Sequence, residues 1–144
     1  MVQHPETSFA EDLKFTKAVI DRQLGPVVLV GHSYGGAVIT EAGNHPKVAA
    51  LVYVAAFALE TGESCAAIEQ GLPPATKGIK PTDDGYFYID PAVFHADFAA
   101  DLPKAKAAFM AESQVLISAD SFTSPVKTPA WKSNPLGTVT ASAR

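Results

Sequence analysis

The stretch VVLVGHSYGG at residues 27–36 decides the fold of this chain. Its four apolar residues predict a buried strand, and the G-x-S-x-G spacing that follows at Gly31-His32-Ser33-Tyr34-Gly35 is typical of a nucleophile elbow. In such a strand-to-helix turn the serine has a strained backbone, and small flanking residues avoid clashes with neighbouring elements. Gly36 adds a third small residue where the helix must approach the sheet closely. We therefore predict Ser33 as a serine nucleophile and the backbone N–H of Tyr34 as half of an oxyanion hole.

The segments on both sides of this stretch alternate between helix and strand patterns. Ser8 and Glu11 form a capping box that predicts a helix start. Residues at helical spacing then give this helix one face to bury: Phe9, Leu13, Thr16, Ile20 and Leu24. A second apolar strand is predicted at residues 50–54, and the fully apolar run at 27–30 is expected to be covered by helices on both faces. The pattern predicts an α/β fold with a parallel sheet and flanking helices.

After Phe57 the sequence changes character, which predicts a helical cap inserted behind the core. Residues 86–89 predict a short strand, and helices are expected to begin at Asp90-Pro91 and near Pro103. We divide the chain into a core segment with the elbow (1–57), a cap or lid (58–117) and an atypical C-terminal segment (118–144), within one structural domain. The cap is predicted to lie over Ser33.

Composition limits the classes of function. The chain has 144 residues, a net charge of -4 and scattered basic residues, which argues against nucleic-acid or membrane partners. Cys65 is the only cysteine, so neither an intrachain disulfide nor a cysteine metal site is expected. The N-terminal residues contain no hydrophobic signal core, and a cytoplasmic location is the default prediction.

Longer runs of sequence resemble a family of bacterial α/β-hydrolases, the group similar to plant methylesterases and hydroxynitrile lyases. The runs are Gly31–Thr40, His45–Val48, Tyr53–Phe57, Phe94–Leu102 and Pro129–Ser133. The resemblance covers about residues 8 to 133 and implies a partial α/β-hydrolase fold. It also implies serine-dependent cleavage of a small ester without a cofactor. Residues 134–140 depart from the family's pattern, so the chain looks like a truncated member, or one with a frame-shifted end.

In this family the catalytic acid and histidine follow the nucleophile, and the sequence leaves their usual positions empty. From Asp120 to Arg144 the one carboxylate side chain is Asp120, and there is no histidine. Of the four histidines, His4 is expected to be solvated, His32 to pack within the elbow and His45 to lie in a turn. His95, on a cap helix, is the remaining candidate for the base that activates Ser33.

Aromatic residues of the cap provide candidate substrate contacts. Phe87, Phe94 and Phe98 are predicted to line an acyl or aromatic pocket, although apolar residues at helical spacing are more often simple core residues. No metal site is predicted.

Three functions remain open from the sequence. The first is an esterase-type serine hydrolase with an acyl-Ser33 intermediate, impaired because the acid and histidine are missing. The second is an inactive fragment that binds a small ligand or associates with itself to cover exposed sheet edges. The third is another chemistry on the same scaffold, such as cyanohydrin cleavage or acyl transfer.

Overall fold

A computed structural model describes residues 1–70 and 76–139 of the chain. Its helices are α1 (Phe9–Asp21), α2 (Gly35–Ala42), α3 (Cys65–Glu69), α4 (Pro91–Asp97), α5 (Lys104–Glu112) and α6 (Ala119–Thr123), with a 3-10 turn at Ala130–Lys132. Its strands are β1 (Val27–Ser33), β2 (Val48–Ala56), β3 (Ile79–Pro81), β4 (Tyr86–Ile89), β5 (Ile117–Ser118) and β6 (Leu136–Val139).

The main sheet has the strand order β1-β2-β6, and both strand pairs are parallel. Leu29 lies opposite Leu51 in the first pair, and Leu51 lies opposite Leu136 in the second. Helix α2 connects β1 to β2, as expected for a parallel crossover. The predicted α/β fold with a parallel sheet and flanking helices is confirmed. Strand β6 lies within residues 134–140, the segment whose sequence departs from the family's pattern.

Helix α1 begins where its cap predicts. The Ser8 hydroxyl accepts a hydrogen bond from the Glu11 N–H at 3.2 Å, while the Glu11 carboxylate pairs with Lys14. The expectation that Leu24 continues the buried face is wrong, because the helix ends at Asp21 and Leu24 is fully exposed. The residues after Asp21, together with Gly25-Pro26, form the connection between α1 and β1.

One face of the main sheet carries the core, and the other is open in the described structure. A cluster of buried residues from α1, β1, α2 and β2 fills the first face: Ile20, Leu29, Ile39, Ala42, Val48, Leu51 and Tyr53, with Ala130 of the 3-10 turn. On the other face, Val28 and Val30 are 56% and 64% exposed. The expectation that helices cover both faces of β1 is therefore wrong for this structure.

The segment after β2 forms a second layer next to the elbow. Strands β3, β4 and β5 make a small antiparallel sheet, and α4 packs against α5 around Phe94, Ala99, Ala107 and Ala111. Strand β4 and helix α4, with Asp90 as its cap and Pro91 at its start, match the sequence predictions. The division at residues 57 and 117 stays a prediction. No helix in the described ranges is long and apolar enough to cross a membrane.

Candidate active site

The elbow forms at the carboxyl end of β1, and its backbone is strained at one residue. Ser33 has a φ of 50°, in the left-handed region that non-glycine residues rarely adopt. Strain of this kind is concentrated at functional sites, where the surrounding structure holds it in place. The Ser33 carbonyl accepts a hydrogen bond from the Phe57 N–H at 3.2 Å, which ties the elbow to the chain leaving β2.

The glycines of the elbow differ in how much space a side chain would have at each position. A Cβ on Gly31 would lie 2.6 Å from the Gly35 carbonyl oxygen, and one on Gly36 would lie 2.5 Å from that of Phe57. A Cβ on Gly35 would meet no heavy atom within 4 Å. The close approach predicted at Gly36 is therefore present, whereas the expectation of a clash at Gly35 is wrong. Gly35 contributes the carbonyl group that Gly31 must avoid.

The residue after Ser33, Tyr34, is the N-cap of helix α2 and has a backbone N–H that is free among the residues that the structure describes. The Tyr34 carbonyl accepts from the Ala37 N–H at 2.9 Å, so it already takes part in the first helical turn. The Tyr34 N–H donates to no acceptor in residues 1–70 and 76–139. A free backbone N–H beside a nucleophile is the arrangement that an oxyanion hole needs.

Ser33 lines a cavity of about 720 Å³ together with His32, Tyr34 and Gly35. A second wall comes from the small antiparallel sheet, with Phe87, Tyr88 and Ile117. Most other lining side chains are apolar, and the acidic ones are Glu6 and Glu69. No lysine or arginine lines this cavity in the described part of the chain. The space therefore suits a small, largely apolar molecule without a negative charge.

The N-terminal segment forms a third wall through His4 and Glu6. His4 is half-buried, and its Nε2 lies 2.9 Å from the Thr16 hydroxyl, so the expectation that it is solvated is wrong. The Thr16 hydroxyl donates its one proton to the Asp12 carbonyl at 2.8 Å. His4 Nε2 must therefore be the donor, which leaves the lone pair of the neutral ring on Nδ1. Burial lowers the pKa of His4, against the opposing effect of the Asp12 charge, and so favours this neutral form.

Glu6 is held by its backbone at the edge of the same cavity. Its φ is 54°, its N–H donates to Asp12 Oδ1 at 2.9 Å and its carbonyl accepts from the Ser118 N–H at 2.8 Å. Burial, with a smaller contribution from the Asp12 charge, raises the pKa of Glu6 to about 7. At neutral pH this carboxyl group is therefore divided between its charged and uncharged forms.

The structure brings some of the predicted site residues together and leaves others apart. Ser33, Tyr34, Phe87 and Phe98 all line the cavity. Phe94 is 3% exposed and lies in the cluster between α4 and α5 instead. His95 is not a lining residue, and its Nε2 is within hydrogen-bond distance of the Leu102 carbonyl, at 2.9 Å. The structure therefore does not bring His95 to Ser33.

Two further histidines have defined surroundings. His32 is exposed at the cavity and meets the Phe98 ring edge-on, with 6.2 Å between ring centres, instead of being packed inside the elbow. His45 lies in the turn after α2, and its Nε2 is 3.0 Å from the Asp21 carboxylate. Within residues 1–70 and 76–139, no side chain forms a hydrogen bond with the Ser33 hydroxyl, and no three His, Cys, Asp or Glu side chains form a metal-binding group.

Sequence reasoning missed the buried carboxylate Asp12, which connects two walls of the cavity. Asp12 is 0% exposed and accepts a hydrogen bond at 2.7 Å from the Tyr34 phenol. Burial, followed by the hydrogen bond to Asp12, raises the pKa of Tyr34, so the phenol stays protonated and able to donate. A signal was available, because Asp12 is three residues after Phe9 and four before Thr16 and so lies on the apolar face of the helix.

Comparison with known proteins agrees with this fold. Residues 3–142 match the alpha/beta hydrolase family, so the chain belongs to that family. A carbendazim hydrolyzing esterase of Nocardioides sp. (strain SG-4G) is 49% identical over 55 residues, which are 36% of this chain and 23% of that esterase. The aligned part is thus under a quarter of that relative's length.

Solved structures with similar folds include bacterial and plant hydrolases. A pyrethroid hydrolase from Sphingobium faniae JZ-2 superposes with a TM-score of 0.66 at 19% identity, covering 95% of this chain and 70% of its own. A methylesterase from Arabidopsis gives a TM-score of 0.61 at 19% identity, covering 85% and 50%. At these identities the likeness concerns the fold alone. The resemblance to the methylesterase group is confirmed at that level.

Proposed function

We propose that this chain is an esterase-type serine hydrolase that acts on small, uncharged, largely apolar esters. The observation that carries the proposal is the left-handed backbone of Ser33 at the end of β1, where the residue faces a cavity of about 720 Å³. The name of the Nocardioides relative, an esterase, supports the same reaction class.

In the proposed reaction the Ser33 Oγ attacks the carbonyl carbon of the ester, and its proton passes to a base. The oxyanion of the tetrahedral intermediate accepts a hydrogen bond from the Tyr34 N–H. Collapse of the intermediate expels the alcohol, which takes up a proton, and leaves an acyl group on Ser33. Water then hydrolyses the acyl-serine to the carboxylic acid and restores the hydroxyl.

Among the described residues, the arrangement favours His4 as the base. It lines the same cavity as Ser33, its lowered pKa favours the neutral ring, and its Nε2 donates to Thr16. A neutral imidazole with a free Nδ1 can accept the serine proton. This assignment replaces the sequence-based candidate His95, whose Nε2 lies next to the Leu102 carbonyl.

The substrate class follows from the lining of the cavity. Phe57, Phe87, Phe98 and Phe122 offer aromatic surface to an acyl or alcohol group. Glu6 and Glu69 are the acidic groups of the described lining, and their negative charge opposes the entry of a substrate that carries a carboxylate. They also favour departure of the acidic product.

A second candidate is a ligand-binding module that performs no catalysis. The observation in its favour is that the Ser33 hydroxyl has no hydrogen-bond partner within residues 1–70 and 76–139. An unassisted serine hydroxyl is a weak nucleophile at neutral pH. The cavity would then bind the same small apolar molecules without cleaving them.

The experiment that separates the two is labelling with a fluorophosphonate probe. The native chain is compared with Ser33→Ala, which removes the nucleophile, and with His4→Gln, which removes the proposed base. Labelling that disappears in Ser33→Ala supports the hydrolase, and a loss of about a hundredfold in rate in His4→Gln supports the assignment of the base. A folded chain that binds a neutral ester but stays unlabelled favours the ligand-binding module.

A further inference from the structure

The buried carboxylate of Asp12 holds two segments that do not otherwise need to meet. Its Oδ2 accepts from the Tyr34 phenol at 2.7 Å, and its Oδ1 accepts from the Glu6 N–H at 2.9 Å. Asp12 itself is 0% exposed in the middle of α1. Hydrogen bonds to an ionised acceptor are stronger than neutral ones, and a buried charge without them is strongly disfavoured. Asp12 therefore fixes the positions of both donors.

Both donors belong to walls of the cavity, and each wall has a strained residue. Tyr34 directly follows Ser33, whose φ is 50°, and Glu6 has a φ of 54°. The Glu6 carbonyl is also held in place, because it accepts a hydrogen bond from the Ser118 N–H at 2.8 Å. Strained residues persist only where their neighbours hold them in place. The two hydrogen bonds of Asp12 can hold both strained residues in place, Ser33 in the elbow and Glu6 in the N-terminal wall.

We propose that Asp12 is a positioning residue of the active site, which holds the Tyr34 peptide and Ser33 in their working geometry through the Tyr34 phenol. The inference rests on the proposed function, because it assigns Asp12 to the oxyanion donor of that reaction. Asp12 contacts neither Ser33 nor the substrate in this role. It acts through the Tyr34 ring, which Phe9 also supports by an edge-on contact with 6.4 Å between ring centres.

Two substitutions separate the contact with the phenol from the charge of Asp12. Tyr34→Phe removes the phenol alone, and the bond between Asp12 and the Glu6 N–H remains. Asp12→Asn removes the charge but keeps the size of the side chain: its oxygen can accept from the Glu6 N–H, and its NH₂ group can donate to the Tyr34 oxygen. Asp21→Asn is the matched control, because Asp21 is an exposed carboxylate at the far end of the same helix.

The test uses Ser33→Cys as the background, because a thiolate is alkylated without help from a neighbouring base. Cys65 does not interfere, since it is 1% exposed and burial raises its pKa to about 12. The rate of alkylation by iodoacetamide is measured against pH for the background alone and with each second substitution. Circular dichroism confirms that each variant is folded under the same conditions.

A correctly placed elbow stabilises the thiolate through its backbone N–H groups. We expect Tyr34→Phe to raise the apparent pKa of the introduced thiol and to slow alkylation at pH 7 by about three- to tenfold. Removal of the Asp12 charge alone would have the opposite effect, because loss of a nearby anion lowers a thiol pKa. The direction of the change therefore distinguishes positioning from simple electrostatics.

An unchanged or faster alkylation in a folded Tyr34→Phe variant would overturn the proposal. If Asp12→Asn fails to fold, Tyr34→Phe alone decides, since it leaves the carboxylate and its bond to Glu6 in place. The thiol measurement does not depend on esterase activity. A native chain that a fluorophosphonate fails to label would therefore count against the proposed function and leave this result interpretable.

Discussion

Gly36 lies directly against the backbone of Phe57, and a Cβ at Gly36 would stand 2.5 Å from the Phe57 carbonyl oxygen. The Phe57 N–H also donates to the Ser33 carbonyl, at 3.2 Å. The backbone of Phe57 is thus in contact with both the first turn of α2 and Ser33. This contact explains why the elbow needs a small residue three positions after the serine.

The first prediction concerns the two adjacent glycines of the elbow. Gly36→Ala is expected to lower the free energy of unfolding by about 1–3 kcal/mol, because backbone atoms must move to admit the methyl group. Gly35→Ala is the matched control, since its Cβ would meet no atom within 4 Å, and it should change stability by less than about 1 kcal/mol. Urea denaturation of both variants checks this. Equal losses at the two positions would show that the close approach to Phe57 does not matter.

The second prediction concerns the buried pair of Thr40 and Tyr53. The Thr40 hydroxyl donates to the Gly36 carbonyl at 2.7 Å, so the Tyr53 hydroxyl, 2.8 Å away, must donate to Thr40. Thr40→Val leaves a buried donor without an acceptor and should cost about 1–3 kcal/mol, whereas Tyr53→Phe should cost about 1 kcal/mol.

Chemical denaturation of the two variants and of the double variant checks this order. We expect the double variant to lose less than the sum of the two single losses, because removing both partners leaves no orphaned donor. A larger loss for Tyr53→Phe than for Thr40→Val would contradict the assigned direction of the bond.

The third prediction concerns the pH dependence of stability at Glu6. Its pKa is raised from 4.5 to about 7 in the folded chain, so the folded state binds more protons than the unfolded state between these values. Stability due to this group is present below pH 4.5 and is lost as the pH rises through 7. Glu6→Gln removes this loss. The increase in the free energy of unfolding of the variant over the native chain should therefore be larger at pH 8 than at pH 5. After allowance for partial exposure, the difference is about 1–2 kcal/mol.

Glu112→Gln is the control for this measurement, because Glu112 is an exposed residue of α5. Thermal unfolding of both variants at the two pH values checks the sign. A gain at Glu6→Gln that is the same at both pH values would show that this carboxyl group does not titrate with a raised pKa.

The fourth prediction concerns the two faces of β1. Leu29 is 8% exposed and belongs to the core, so Leu29→Ala should cost about 2–5 kcal/mol. Val30 is 64% exposed, and Val30→Thr should change stability by no more than about 0.5 kcal/mol.

Val30→Thr also tests the predicted self-association of the chain, which remains a prediction. If a second copy of the chain covers the open face, Val30→Thr should weaken the dimer in analytical ultracentrifugation. Unchanged sedimentation with an unchanged stability would indicate that the chain is stable with this face in water.

Local patterns were sufficient for the core elements and for the elbow. The cap at Ser8, the apolar run at 27–30 and the G-x-S-x-G spacing each depend on neighbours within a few residues, and each appears in the structure. The second sheet was only partly predictable. Strands β3 and β5 have three and two residues, which are too few to show an alternating pattern.

The residues that complete the site depend on contacts distant in sequence. Asp12 and Tyr34 are separated by 22 positions, and Glu6 meets strand β5 through Ser118. No local pattern specifies such pairs. His95 illustrates the converse, since a helix predicted correctly still directed its ring to the Leu102 carbonyl.

Because the backbone of Ser33 is left-handed, a side chain at this position lowers the stability of the folded state. Glycine adopts a φ of 50° without strain, so Ser33→Gly should stabilise the chain by about 1 kcal/mol and raise its melting temperature. Random mutation followed by selection for thermal resistance alone would therefore tend to replace Ser33. If a serine persisted at this position over many generations, selection for chemical activity would have retained it although glycine makes the turn more stable.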